Sequence, residues 1–268
     1  MEDVEFKDIN PNIKKRIIKK GRTGRRPTLK WICSIDLILN NQYGEGNYKS
    51  GSLELVIGDG TREYDRLLEQ CLETMHLEEE SSFQLKLTNE KEISIDIALR
   101  SVVEKPYLFQ WTDEEKIKES NHYRETGAQL FKDNQIEEAF YKFSSALKLL
   151  LTTDKFLEDE NGTHPELDNL RVVLYNNLAR CHLHYKNYSN VVELCDNSIK
   201  INSSVKALYR RAVAYIELKE YECAENDLVQ LLKLEPRNKA VIEKYREVRE
   251  LDRNNRENYH SILKKMFQ

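Results

Sequence analysis

Apolar residues alternate with polar ones in short runs along the first 110 or so positions, and beyond Thr112 they recur every three to four residues instead. A period of two marks strands with one buried face, and a period near 3.6 marks helices. The alternating runs Trp31–Leu39, Ser52–Ile57, Ser82–Leu87 and Glu92–Leu99 therefore predict strands. Between the second and third, Leu67, Leu68, Cys71, Leu72 and Met75 fall at helical spacing within Glu63–Met75. One amphipathic helix among several strands makes an α+β domain, expected over residues 1–110. Thr112, followed by Asp113, Glu114 and Glu115, offers an N-cap with acids in the first turn and opens an all-α domain over residues 111–268. From Leu151 to Leu167 the residues Asp154, Glu158, Asp159, Glu160, Asn161, Gly162 and Pro165 interrupt the period, so an exposed loop is expected there.

The helical half repeats itself. Gly127, Leu130, Ala139, Phe143 and Ala146 in a first copy are echoed by Leu178, Ala179, Tyr188 and Ile199, and then by Ala212, Tyr215, Tyr221, Ala224 and Pro236. Small residues stand where two helices would cross closely, and large ones stand beside them. The pattern resembles the tetratricopeptide repeat (TPR), whose period is about 34 residues and whose unit is a helix pair. That resemblance implies an α-solenoid with repeats at about 120–151, 172–204 and 205–238, and a capping helix over 239–267 covering the open end.

Composition narrows the function. The 268 residues carry a net charge of only -4 although 33% are charged, so bulk electrostatics favour neither a nucleic-acid binder nor a membrane-surface protein. No secretory leader and no apolar run of membrane-spanning length is seen, and a cytosolic or nuclear location is expected. The five cysteines form no CxxC pair and read as small buried packing residues. His182 and His184 diverge on a helix, and no P-loop, dinucleotide fingerprint or GxSxG is present, so no metal, cofactor or hydrolase site is expected. Nine Lys or Arg and no acid lie between Asp8 and Asp36, including Lys14, Lys15, Arg16, Lys19 and Lys20. A nuclear-import or RNA-touching patch is one reading of that run, and a solvated strand surface without stacking aromatics is the favoured one.

One constellation points to a ligand. Lys206 and Arg210 are four apart on the first helix of the third repeat, so both face one side. Asn177 takes the equivalent position in the second repeat, and Arg124 lies three residues before Gly127 in the first. Two guanidinium groups, an ammonium and an amide would repel or stay unsatisfied unless an anion filled the space between them. The four residues resemble the two-carboxylate clamp of chaperone-binding TPR domains, which holds the Glu-Glu-Val-Asp tail of heat-shock protein 90 or 70. The resemblance implies those chaperones as partners, with an unnamed client and no membrane or nucleic acid. Two departures bear on it: Arg124 stands where the family has Lys, and Ala128 stands where it has Asn.

The resemblance extends to the first half. Ile13–Gly21, Leu55–Gly60, the helix to Met75 and Phe83–Leu87 follow the order of the FK506-binding-protein family, and Phe109–Ser120 resembles the link of its large immunophilins into TPR. The chain is similar to a degenerate, non-catalytic member. Prolyl isomerisation in that family needs an apolar bowl lined by aromatic rings. Its Trp floor is replaced here by the region Glu63–Leu68, its Phe-Asp pair falls near Tyr43 and Gly44, its strand Tyr aligns with Ile35, and its Ala-Tyr-Gly loop is missing between Leu87 and Ile93. The implied function is a co-chaperone adaptor with no catalytic residue. An active peptidyl-prolyl isomerase, or a germline small-RNA or nuclear adaptor using the same chaperone link, are the alternatives.

Overall fold

The alternating runs of the first half build a six-stranded antiparallel sheet. The computed structural model describes residues 5–40, 50–153, 165–202 and 204–266, which divide into two compact units, Met1–Trp111 and Thr112–Gln268. The strands of the first unit are β1 (Lys7–Asn10), β2 (Ile13–Lys19), β3 (Ile32–Leu39), β4 (Gly51–Val56), β5 (Glu80–Lys86) and β6 (Glu92–Val103). Their order across the sheet is β1-β2-β5-β6-β3-β4. Cys33, Ile35 and Leu37, Phe83 and Leu85, and Ile93 to Leu99 at every second position are buried against helix α1 (Glu63–Glu73). That helix presents Leu67, Leu68, Cys71 and Leu72 to the sheet. Asp65 in its first turn reaches back to the N-cap, its carboxylate accepting from the Arg62 and Thr61 amides at 3.0 and 3.3 Å. Strand β1 was not expected from the pattern, because four residues with one apolar side chain are too few to display a period.

The described residues of the second unit form seven helices: α2 (Asp113–Lys132), α3 (Ile136–Leu150), α4 (Pro165–His184), α5 (Tyr188–Ile201), α6 (Val205–Glu217), α7 (Tyr221–Leu234) and α8 (Lys239–Met266). Thr112 caps α2 as expected: its hydroxyl accepts from the Glu115 amide at 3.2 Å, and the Glu115 carboxylate accepts from the Thr112 amide at 2.9 Å. The three pairs turn in the same way. Asn134, Lys186 and Lys219 adopt left-handed φ values of 61°, 58° and 63°. The amide after each reaches back five residues, Gln135 to Leu130, Asn187 to His182 and Glu220 to Tyr215, at 2.9, 2.9 and 2.8 Å. This is a Schellman closure, used three times at one position of the unit.

Two expectations are corrected. The loop expected to run to Leu167 ends earlier: Pro165 opens α4, where its missing N–H costs nothing, and Leu167 is buried. Residues 154–164 of that loop lie outside the described residues. Cys223 is exposed, whereas Cys33, Cys71, Cys181 and Cys195 are buried.

Strand β2 buries a cation. The Lys15 ammonium donates to the Thr74 carbonyl at 2.7 Å and pairs with Glu79 at 2.7 Å. The Glu79 carboxylate also accepts from the Ser81 hydroxyl at 2.7 Å and the His76 amide at 2.9 Å. Burial by itself would raise the Glu79 carboxyl, but the bonds from Lys15, Ser81 and His76 outweigh it and hold the group below its ordinary value. A carboxyl lowered in the folded state adds stability above its unfolded pKa, and that stability is lost as pH falls through the folded value. Glu79→Ala is therefore expected to cost about 3–5 kcal/mol at neutral pH by leaving Lys15 buried without a counter-charge. The gap between variant and wild type should narrow below about pH 4. Urea unfolding followed by tryptophan fluorescence checks this, since the two tryptophans, Trp31 and Trp111, both belong to the first unit.

Candidate functional site

The first helices of the three pairs form one row, with α4 touching both α2 and α6. The four residues singled out from the sequence are spread over these helices, Arg124 on α2, Asn177 on α4, and Lys206 and Arg210 on α6. On α6, Lys206 is exposed and pairs with nothing among the described residues, and one turn on stands Arg210. Both line a groove of about 390 Å³ together with Tyr209 and, from the start of α8, Asn238 and Val241. The Arg210 guanidinium meets no carboxylate among the described residues; its Nη1 donates to the side-chain carbonyl of Asn176 at 2.8 Å. Burial above all holds Arg210 below its ordinary pKa, and the charge of Arg180 acts in the same direction. A guanidinium this short of countercharge is a place where an arriving carboxylate gains most.

The adjacent Arg211 makes the contrast. It points the other way, as i and i+1 on a helix must, and its fork pairs with both oxygens of Asp227 at 2.8 and 2.6 Å and with Asp196 at 2.5 Å. Those bonds raise its pKa and tie α6 to α5 and α7. Arg211 serves the fold and Arg210 faces the groove.

The other two residues are placed less simply. Asn177 on α4 is half-buried. Arg124 on α2 folds back on its own helix, donating to Asn121 at 3.2 Å and pairing with Glu125 at 3.0 Å. To reach an anion in the groove it must leave a partner 69% exposed, an exchange of small cost.

Two residues that matter here were not singled out from the sequence. Asn176 is nearly buried, and its amide donates to Ser198 Oγ and to the Val172 carbonyl, each at 2.8 Å, while its oxygen receives Arg210. Arg180, one turn beyond Asn177, lies 4.0 Å over the Phe131 ring. Its spacing of three from Asn177 was a readable signal; nothing in the sequence marks Asn176 over its neighbour Asn177.

In the first unit the positions compared with an isomerase site are largely built into the core. Ile35 is 1% exposed, and Leu67 and Leu68 are buried under the sheet. The β5–β6 connection is a tight turn closed by the Leu87 amide on the Lys91 carbonyl at 2.9 Å, with no room for a further loop. Trp31 is buried with its indole N–H on the Lys105 carbonyl at 2.8 Å, and Trp111 donates to the Pro106 carbonyl at 2.9 Å. Tyr43 and Gly44 lie outside the described residues. Burial pushes the Cys33, Cys181 and Cys195 thiols up to about 12, which leaves them protonated and inert.

No family model matches the chain. A human protein named FK506-binding protein-like is 30% identical over 257 residues, which take in 94% of this chain and 70% of that protein. The rat peptidyl-prolyl cis-trans isomerase FKBP4 is 24% identical over 250 residues, covering 87% of this chain and 54% of its own. The chain thus spans about half the length of that relative. Among solved structures, the C-terminal TPR-containing domain of an FK506-binding protein of Plasmodium falciparum has a TM-score of 0.52 and 28% identity, over 56% of this chain and 99% of that domain.

Asn176 joins the groove to the interior, so its removal has two readable effects. Asn176→Ala strands Ser198 and releases Arg210, and is expected to lower stability by about 1–3 kcal/mol. Thermal unfolding followed by circular dichroism at the helix band measures it, since all the lost bonds lie among helices.

Proposed function

The chain belongs to the FK506-binding-protein-like family, and on that premise we propose that it works as a co-chaperone adaptor. Its TPR groove takes the C-terminal Glu-Glu-Val-Asp tail of heat-shock protein 90, or of heat-shock protein 70, and links the chaperone to a client. The observation that carries this reading is the uncompensated pair Lys206 and Arg210 on one groove wall, with Arg210 braced by Asn176. A peptide ending in Asp supplies two carboxylates a few ångströms apart, which suits two cations one helical turn apart. Arg124, Asn177 and Arg180 lie on the neighbouring helices of the same row and add donors for the rest of the tail. The first unit acts in this reading as a scaffold without prolyl isomerase activity, supported by the burial of Ile35, Leu67 and Leu68 where an open apolar bowl is needed.

Calorimetry with a Met-Glu-Glu-Val-Asp peptide on the full chain tests the groove. Arg210→Ala and Lys206→Ala are each expected to weaken binding by about tenfold or more, as the loss of a bond to a charged group implies. Ala128→Asn is expected to tighten it by restoring an amide one turn from Arg124. Equal binding by wild type and Arg210→Ala, or none by any variant, sinks the chaperone assignment.

The relative named as a peptidyl-prolyl isomerase keeps the second reading in view. NMR exchange spectroscopy on an Ala-Pro-Phe peptide is expected to show the uncatalysed rate of cis–trans interconversion, on the order of tens of seconds, at stoichiometric protein. Acceleration by two orders of magnitude restores the enzyme reading.

A further inference from the structure

The basic run of the first unit does not form one cationic face. Lys15, Arg22 and Arg25 are paired within the fold with Glu79, Glu78 and Glu104. What remains is local. Lys7 pairs with Lys15 across the β1–β2 ladder, so Lys7 stands on the face of Lys15 and Ile17, and Ile9 lies at the irregularity of that ladder between Asp8 and Asn10. The β2–β5 ladder has an irregularity between Ile17 and Lys19. The alternation breaks there, and consecutive Ile17 and Ile18 both border one groove. That groove has a volume of about 650 Å³, and Ile9, Ile17 and Ile18 stay 41%, 39% and 57% exposed along it.

Its charged lining is lopsided. Lys7, Lys20 and Arg26 border it, with Lys15 already committed to Glu79 and Thr74, and Glu5 is the one acid among the described residues that line it. Lys7 and Lys20 pair with nothing among the described residues, and Arg26 makes only a 3.4 Å contact to His76. Three cations around three exposed isoleucines ask for a ligand that carries aliphatic groups and more than one carboxylate. A fatty acid supplies a single carboxylate. A nucleic acid supplies charge, but the described residues that line the groove include no aromatic ring to stack its bases.

We propose that this groove docks an acidic linear peptide, with aliphatic side chains seated among Ile9, Ile17 and Ile18 and carboxylates meeting Lys7, Lys20 and Arg26. The site is separate from the TPR groove and does not depend on the chaperone reading. Salt must weaken such binding, because its charged contacts are at the surface.

Fluorescence anisotropy of the full chain with a labelled, C-terminally amidated peptide Asp-Glu-Ile-Asp-Leu-Glu-Asp tests it; the amide removes the terminal carboxylate that the TPR groove would read. Saturable binding is expected, weakened severalfold on going from about 50 to about 300 mM salt. The Lys7→Glu/Lys20→Glu variant changes only exposed side chains and should lose about tenfold or more. Ile18→Asp should do the same, as should a peptide with Ser in place of Ile and Leu. Arg210→Ala should bind the probe like wild type. Absence of saturable binding, equal affinity in the double variant, or stronger capture of oligouridylate or oleate than of the peptide each overturns the proposal.

Discussion

The second unit rests on how closely the two helices of a pair approach. At Gly127 on α2, a Cβ atom would stand 2.8 Å from the Phe143 ring of α3, a distance that side-chain carbons do not tolerate. Phe143 is itself 2% exposed and has nowhere to move. Glycine in mid-helix costs about 1 kcal/mol against alanine, while overpacking a filled core costs about 1–3, so the tight crossing favours glycine. Ala139, Ala146, Ala179, Ala212 and Ala224 are wholly buried in the same kind of place. The left-handed turns at Asn134, Lys186 and Lys219 hold each pair at that spacing. Two of the three are lysines, which accept about 1 kcal/mol of strain for a closure that satisfies two carbonyls at once. With the pairs so fixed, α2, α4 and α6 follow one another in a row, α4 touching both of the others.

Charge on that scaffold sorts by whether the fold has already answered it. Arg211 is bonded to two aspartates and belongs to the helix packing. Arg210, its neighbour in sequence, meets the amide of Asn176 in place of a carboxylate, and an amide positions a guanidinium without neutralising it. Asn176 cannot drift, because Ser198 and the Val172 carbonyl hold it from the interior. The arrangement is a preorganised donor whose charge no carboxylate among the described residues answers, and a donor held in place loses less freedom on meeting an anion than a mobile one. The same sorting separates Lys15, answered by Glu79, from Lys7 and Lys20 on the groove of the first unit.

Much of this was legible in the residues. The alternation of Cys33, Ile35 and Leu37 and of Ile93, Ile95 and Ile97 gave the sheet, and the capping box at Thr112 gave the first helix of the second unit. Strand β1 escaped because its pairing with β2, rather than its own apolar content, makes it a strand. Pro165 reads as part of a loop when taken with the acids before it, yet it is the first residue of α4, since proline is as suited to a helix start as to a turn. Of the site, spacing along one helix placed Lys206 and Arg210 on a common face. Asn176 was invisible, because its role comes from Ser198 on α5 and Arg210 on α6, contacts between helices that no spacing within one helix encodes.

The two halves differ in what their cores leave open. A domain that isomerises prolyl bonds must keep an apolar concavity unfilled, at a cost in burial that only a bound peptide recovers. In the first unit α1 lays Leu67, Leu68, Cys71 and Leu72 directly onto Cys33, Ile35, Leu37 and Ile95, so the apolar surface is buried by the chain itself. Trp31 fills space beneath Tyr107, its ring 5.5 Å away, and has its indole N–H satisfied by backbone. Some apolar surface remains open on β1 and β2, where an irregular ladder exposes isoleucines beside lysines without a partner among the described residues. A sheet edge of that kind is exposed to unwanted pairing unless charge guards it, and Lys7 and Lys20 provide that guard. The same lysines make the surface selective, since a neutral apolar segment would have to desolvate two ammonium groups with nothing to pair them, whereas an acidic one would not.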